Sequence, residues 1–549
     1  MTPGLQGERA PLLWLLLPLM AGLSAGRAFG PPAAPCALLA GLFAAAAIWT
    51  AWARRPAASW LWPPALALAA GFAGMAYYPL RLRRAEAWAG LPPREACLTL
   101  RVERTFQPPG IRPRANGFGV VTRGDFAARG LAGRRIYFSV ALPPGTPPPL
   151  RSSEIAAAGL LAAVPADPAG GSFEAYILDS GAPLMLTRGR WLREAAPASR
   201  YRRFCSAAER RFHVILGAGL GDRPVPASIL RAMMLGQKQE MRAEEQALFM
   251  HSGTLHLFAI SGLNITAISI SIQILLTLLR APRTAAAAFG LAALWLYVDI
   301  TGASPSAVRA FVMCAGYLAG HAMRRPGNVL SSLASSALAV LLWDPMQLFG
   351  ASFQLSYGIV AVLVLLGAPL ARRLCDRWPL FTSLPPADWG RLRRWIDRAW
   401  RGILGVAGIG AASALVSTVA GIEFFGLFTP AALAVNLVLI PMSTLIIGAG
   451  FLSLVCGLSG LLPGSILFNH AGALLVWLMD AGLRAAVAIP GAYRSARFEP
   501  AWLGPAAFAA LLGVCLAGYS SGWRTRLGGW LPPFALVAIV LVFGVRYAR

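Results

Sequence analysis

The sequence predicts a polytopic α-helical membrane protein with a small soluble β-barrel domain inserted between its membrane segments. Three observations carry this. The 549 residues are 57% hydrophobic and only 13% charged, well outside the composition of soluble globular chains. Apolar runs recur along the chain, enough for about ten to twelve spans of a hydrocarbon core about 30 Å thick. Between residues 92 and 190 those runs give way to short alternating stretches separated by Pro- and Gly-rich turns, the pattern of short strands.

Residues 1–91 hold apolar runs at 12–29, 34–52 and 59–80. The first has the look of a signal peptide, but a cleavable leader is not continued at once by two further runs. Arg54 and Arg55 suit a cytoplasmic loop, and three spans then put the following segment on the outer face; Arg81, Arg83 and Arg84 at the exit pull the other way. In 92–190 strands are expected at Cys97–Glu103, Gly117–Thr122, Arg135–Val140 and Ser172–Leu178, a barrel of about five strands. Arg101, Arg104, Arg112, Arg114, Arg123, Arg129, Arg134 and Arg135 outnumber its acids, with Phe106, Phe118, Phe126 and Tyr137 interleaved. An OB-like single-strand binder uses arginines on phosphates and rings on bases in this way; the same rings also suit plain barrel core. Residues 191–224 form a connector that mixes Arg with Trp, Tyr and Phe at helical spacing, fitting either an amphipathic helix on the membrane surface or a solvated linker.

Residues 225–490 form the main helical domain. Two short helices between Pro226 and Met250 precede spans at 253–279, 284–300, 305–323, 328–343 and 351–371. A basic, aromatic loop follows from Arg372 to Arg401, with Trp378, Trp389, Trp395 and Trp400, and reads as cytoplasmic. Further spans are expected at 402–420, 424–440, 442–461 and 464–489, and the C-terminal segment 491–549 adds 501–519 and 529–546.

Four polar constellations interrupt these apolar runs. An unbroken helix from Gly253 would put Ser261, Asn264 and Ser271 within an arc of about 80°, with His256 at its edge. Gly262 permits close helix packing or a local break. Such a stripe lines a pore or glues helices together. In Asp299–Ala310, Gly302 precedes Ser304 as N-cap, Pro305 at the first helical position, Ser306, and Arg309 just over a turn in. That is either an anion site at a helix N-terminus or an ordinary cap with a snorkelling arginine. In Asp344–Tyr357, Ser352, Gln354 and Ser356 alternate with apolar residues. Glu423, Asn436 and Pro441 form the last group, and Pro441 is expected to kink or end a span.

The net charge of +26 invites a polyanion partner. Lys238 is the one lysine, so a GC-rich coding bias explains the choice of Arg over Lys, and basic cytoplasmic loops supply part of the excess over acids. The seven cysteines are scattered without metal-ligand spacing. No HExxH, phosphate-binding loop or nucleophile elbow is present, and the five histidines are dispersed. No enzyme activity, metal or cofactor is therefore expected.

Taken in order, Leu235-Gly236, His256-Leu-Phe-Ala-Ile-Ser-Gly-Leu263, Gly302-Ala-Ser-Pro-Ser-Ala-Val-Arg309, Phe353-Gln-Leu-Ser-Tyr357 and Asn436–Pro441 resemble the ComEC competence family. These are multi-pass bacterial inner-membrane channels through which transforming DNA enters as a single strand, with an OB-like domain ahead of the channel. The resemblance implies a channel for single-stranded DNA whose pore candidates are His256, Ser261, Gly262, Asn264, Gly302, Ser304, Pro305, Ser306, Arg309, Gln354, Ser356, Glu423, Asn436 and Pro441. It also implies a DNA-receptor protein on the outer face and a cytoplasmic helicase or translocase. Two departures stand out. Asn264-Ile265 replaces a frequent His-Val, and the chain stops at Arg549 without the β-lactamase-like nuclease domain many members carry, so a separate nuclease is expected. The competing reading is a secondary transporter or exporter of a small anion or lipid precursor.

Overall fold

A computed structural model describes residues 10–52, 61–86, 92–106, 114–125, 130–165, 172–237, 240–254, 258, 262–322, 328–381, 389–521 and 530–547. The chain divides into two compact units, one of residues 1–210 with 316–350, the other of 211–315 with 351–549.

The first unit begins with α1 (Leu13–Phe29), α2 (Ala33–Trp52) and α3 (Trp62–Glu86). Small residues let α1 and α3 touch backbone to backbone: a Cβ at Gly22 would lie 1.9 Å from the Gly71 carbonyl oxygen. Such close approach is how apolar helices associate where burial against lipid gives no net drive.

The barrel follows as β1 (Arg94–Phe106), β2 (Arg114–Gly124), β3 (Arg135–Ala141), β4 (Glu154–Ala163), the short helix α4 (Phe173–Asp179) and β5 (Leu184–Ala196). The strands close in the order β1-β2-β3-β5-β4, with β3 and β5 parallel and the other pairs antiparallel. Closure leaves no bare sheet edge. Leu98, Leu100, Val102, Ile136, Phe138, Ile155 and Leu186 fill the interior, as period-2 alternation requires.

Two expectations need correction here. Ser172–Leu178 is a helix rather than a strand: Ser172 caps it, its Oγ accepting from the Ala175 N–H at 3.2 Å. β4 and β5 supply the remaining strands, and β5 runs on to Ala196, past the expected boundary at 190. Helix α5 (Arg200–Gly217) comes next.

The chain continues through α6 (Pro224–Leu235), α7 (Ala243–His251), α8 (Gly262–Leu278), α9 (Arg283–Ile300) and α10 (Pro305–Ala322), and α11 (Val329–Trp343) returns to the first unit. Then come α12 (Ala351–Val362), a π-turn at Leu363–Gly367, α13 (Ala368–Arg377), α14 (Arg391–Phe425), β6 (Leu427–Phe428), α15 (Ala432–Leu458) and α16 (Leu462–Val487). β7 (Arg494–Phe498), α17 (Leu503–Ser521), α18 (Leu531–Phe543) and β8 (Val545–Tyr547) close the chain.

Among the described residues six helical stretches are long and apolar enough to cross a membrane: 33–52, 283–300, 351–377, 391–425, 434–458 and 462–487. Shorter apolar helices accompany them.

The separate spans expected at 424–440 and 442–461 are largely one helix, α15, which continues through Pro441. Proline removes the rung to residue i−4, but nearby hydroxyls and packing carry a helix across such a gap in an apolar setting. Ser443 and Thr444 also donate to the Ile440 carbonyl, at 2.8 and 3.0 Å, next to the Leu437 carbonyl that Pro441 leaves without its rung.

The core of the second unit is built round α6, whose residues from Ala227 to Leu235 are buried except Arg231 and which packs on α15 and α16. A helix apolar on nearly every side belongs inside. Strands β6, β7 and β8 form a small sheet from three distant segments; nothing in the apolar pattern announced it.

Candidate functional site

Arg309 is the centre of the site. The turn that leads to it has left-handed backbone at Gly302 (φ 89°) and at Ala303 (φ 47°), a conformation that glycine adopts freely and alanine at a cost. Ser304 caps α10 as expected, its Oγ accepting from the Ala307 N–H at 3.3 Å, with Pro305 the first helical residue. Pro305 and Ser306 are half-buried.

Arg309 does not snorkel. It is 2% exposed and turns to α12, where its Nη2 donates to the Ser352 carbonyl (2.7 Å), Ser352 Oγ (2.6 Å) and Ser356 Oγ (3.0 Å). Its Nε and Nη1 are buried without a partner, and among the described residues no carboxylate pairs with it. A buried cation lacking a counter-charge is expensive, and its place in the first turns of α10, at the positive end of the helix dipole, adds to the cost. The arrangement stores a demand for an anion.

Two of the polar constellations thus meet. Ser352 stands in the third constellation but not among the pore candidates, although Ser352 and Ser356, four apart, share one helical face; the polar–apolar alternation of that stretch masks the pair. Gln354 is half-buried on the same helix.

The remaining candidates have other surroundings. His256 and Ser261 lie outside the described residues. Gly262 opens α8, and among the described residues nothing lies within 4 Å of where its Cβ would stand. Asn264 is buried and its Nδ2 donates to the Met233 carbonyl at 2.9 Å, while the Tyr297 hydroxyl donates to the Met234 carbonyl. Both fill carbonyls that the end of α6 leaves without intrahelical partners. Glu423, in the last turn of α14, has its carboxylate against Gly504, so close that any side chain there would collide. Asn436 is buried with its Oδ1 unpartnered, and Pro441 is exposed. Among the described residues no hydrogen bond joins Glu423, Asn436 or Pro441 to the Arg309 cluster.

Sequence reasoning also missed Asn469. It is fully buried, donates to the Ile215 and Ala218 carbonyls at 2.7 and 2.9 Å, and accepts from Ser453 Oγ at 2.7 Å. It closes the end of α5 as Asn264 closes α6.

In the barrel, Arg101 pairs with Glu154 at 3.2 Å, and Arg135 pairs with Glu103 at 2.7 Å while donating to the Ser180 carbonyl. Arg114 donates to Ser139 Oγ at 3.1 Å, and Arg104 stacks over Phe106. Arg123 is exposed and Arg134 half-exposed; Arg112, Arg129 and Phe126 lie outside the described residues. Phe118 and Tyr137 are not open platforms. They are buried under α4 with Ile177, and that burial raises the Tyr137 hydroxyl above its ordinary value. The exposed rings are instead Phe173 and Tyr176 on α4, stacked at 6.1 Å.

The family model for Competence protein matches residues 233–521, just over half of the chain and including Asn264, Arg309, Ser352 and Asn469. The chain belongs to the ComEC-type competence family. Over 155 residues this competence-family chain is 32% identical to ComE operon protein 3 of Bacillus subtilis (strain 168), covering 28% of this chain and 20% of that protein. Over 147 residues it is 31% identical to Competence protein ComA of Neisseria gonorrhoeae, covering 25% and 21%. These matches span about a fifth of each curated relative. No solved structure matches.

Proposed function

We propose that this protein conducts single-stranded DNA across the bacterial inner membrane during natural transformation. The observation that carries the proposal is Arg309: a buried guanidinium with two unsatisfied donors, in the segment shared with the competence family. A phosphodiester passing the first turns of α10 and α12 supplies the missing anion, and a helix N-terminus favours it further. Barrel and helical unit then divide the work. The OB-like barrel receives the strand on its outer side with Arg104, Arg123 and Arg134 and the rings of α4, and the second unit provides the path. The sequence has no nucleotide-binding loop, so the pull comes from a cytoplasmic helicase or translocase, with a receptor protein delivering DNA outside and a nuclease degrading the other strand.

Deletion of the gene in its native host, followed by a transformation assay, is the test. Transformation is expected to be lost and to be restored by the intact gene but not by Arg309→Gln. Unchanged frequency after deletion overturns the proposal. A small-anion transporter would use the same lone cation, and it becomes the better reading if deletion spares transformation while purified protein in vesicles moves phosphate.

A further inference from the structure

The basic, aromatic segment between α13 and α14 takes no part in the reading above. Among the described residues it holds a pocket of about 700 Å³ lined by Arg377, Trp378, Pro379, Leu380, Trp400 and Leu404. Its shape is held by a long-range bond, the Trp400 Nε1 donating to the Trp378 carbonyl at 2.9 Å. That bond occupies the one polar atom of the Trp400 ring. The lining is therefore an apolar floor with a single exposed cation, Arg377, which is in no ion pair among the described residues.

The first turns of α14 extend this two-sided chemistry. Leu392, Trp395 and Ile403 are 70%, 66% and 56% exposed and lie along one stripe. Arg391, Arg394 and Arg398 run beside them at helical spacing. Water does not favour such a bare apolar stripe, but the boundary of a bilayer does: rings and aliphatic side chains sit among acyl chains while arginines reach the headgroups. The helix itself is 35 residues, about 52 Å at 1.5 Å per residue, longer than the hydrocarbon core of about 30 Å. If α14 spans a bilayer, part of it must extend past the hydrocarbon, and the Arg-bearing first turns are the end whose composition suits the headgroups.

We infer that the Arg377–Trp400 pocket binds one anionic phospholipid of the leaflet on the α13–α14 side, with the headgroup phosphate on Arg377 and the glycerol and upper acyl chain against Trp378, Leu380 and Leu404. An apolar floor ending in one cation matches a phospholipid. The arginines at the start of α14 flank an exposed apolar stripe of Leu392, Trp395 and Ile403, which a phospholipid leaflet covers and a nucleic-acid strand does not, and within the pocket there is one cation. The inference is independent of what the protein transports and rests on the second unit spanning a bilayer.

The test is native mass spectrometry of the full-length chain released from detergent with equal phosphatidylglycerol and phosphatidylethanolamine. One phosphatidylglycerol is expected to be retained in preference. Arg377→Glu, at an exposed position, is expected to weaken that retention by at least about fivefold, the effect of one interfacial positive charge. Trp400→Phe keeps the packing and loses the bond to Trp378, and is expected to lower retention by less. Equal retention by the intact chain and Arg377→Glu overturns the inference, as does displacement of the lipid by a dT oligonucleotide or by glycerol 3-phosphate alone at comparable concentration. Release of the chain from membranes by carbonate would overturn the membrane reading itself; a chain that stays in the membrane without lipid preference overturns this inference alone.

Discussion

At the scale of single residues, the energetics of Arg309 and Glu245 make opposite predictions about stability. Arg309 is an uncompensated buried charge with two unsatisfied donors, so it weakens the fold in which it sits. Arg309→Met removes the charge and keeps the aliphatic length. It is expected to leave the melting temperature of the purified protein unchanged or raised while abolishing transformation, the signature of a strained functional group. A large fall in melting temperature would make Arg309 structural. Glu245 on α7 is buried, and its Oε2 accepts from the Arg242 N–H at 3.0 Å. Burial raises its carboxyl above the ordinary range. The protonated form thus adds stability that is complete below the unfolded carboxyl pKa and is lost as pH rises through the raised folded value. Glu245→Gln keeps the acceptor without the charge. Its melting temperature relative to the native chain is expected to climb as pH rises above the ordinary carboxylate range; parallel melting curves would remove the titration argument.

At the scale of elements, α4 decides what the barrel can offer a strand. Phe118 and Tyr137 hold α4 down; Phe173 and Tyr176 rest on them by one edge and are about half exposed. Phe118→Ala should cost about 3–5 kcal/mol of barrel stability, read as a lowered denaturation midpoint. Tyr176→Ala should lower that midpoint less than Phe118→Ala does and weaken binding of a dT oligonucleotide at low salt by about 1–3 kcal/mol, the worth of one stacked base, read by fluorescence anisotropy on the full chain. The reverse assignment of effects would show that α4 is displaced on binding. The burial of Phe118 and Tyr137 is one of two readings the sequence leaves open, but the helix that covers them is not legible in it. Ser172–Leu178 alternates well enough to pass for a strand, and the Ala-rich β4 lacks the β-branched and aromatic residues that mark one. The sequence did reveal the apolar helices, the Ser304–Pro305 start of α10 and the existence of the barrel, because those rest on local periodicity and caps. The Arg309–Ser352 contact, the Asn469 bridge to α5 and the β6-β7-β8 sheet join residues far apart in the chain, and local pattern carries no such information.

At the scale of the whole molecule, the chain's charge and its cysteines together give a test of topology. Three apolar runs precede the barrel, and Arg54–Arg55 falls between the second and third. The arginines of α13 and the start of α14 form the densest basic segment of the second unit. The proposed direction of DNA movement requires the barrel outside and the α13–α14 segment inside; the bias of arginine toward the cytoplasm favours this at Arg54–Arg55 and along α13–α14, and opposes it at Arg81, Arg83 and Arg84. Two free thiols report on this. Cys97 is exposed on β1, Cys375 is half-exposed on α13, Cys314 and Cys456 are half-exposed and are replaced by Ser throughout the test, and Cys36, Cys205 and Cys515 are buried. A membrane-impermeant maleimide added to intact spheroplasts is expected to label the native chain and not Cys97→Ser. Once the membrane is permeabilised, Cys97→Ser should become labelled, and Cys375→Ser in the same background should remove that signal. Labelling of Cys375 from outside, with Cys97 protected, would invert the topology. The barrel would then face the cytoplasm, where it could not receive an incoming strand, and the proposed direction of DNA movement would fail with it.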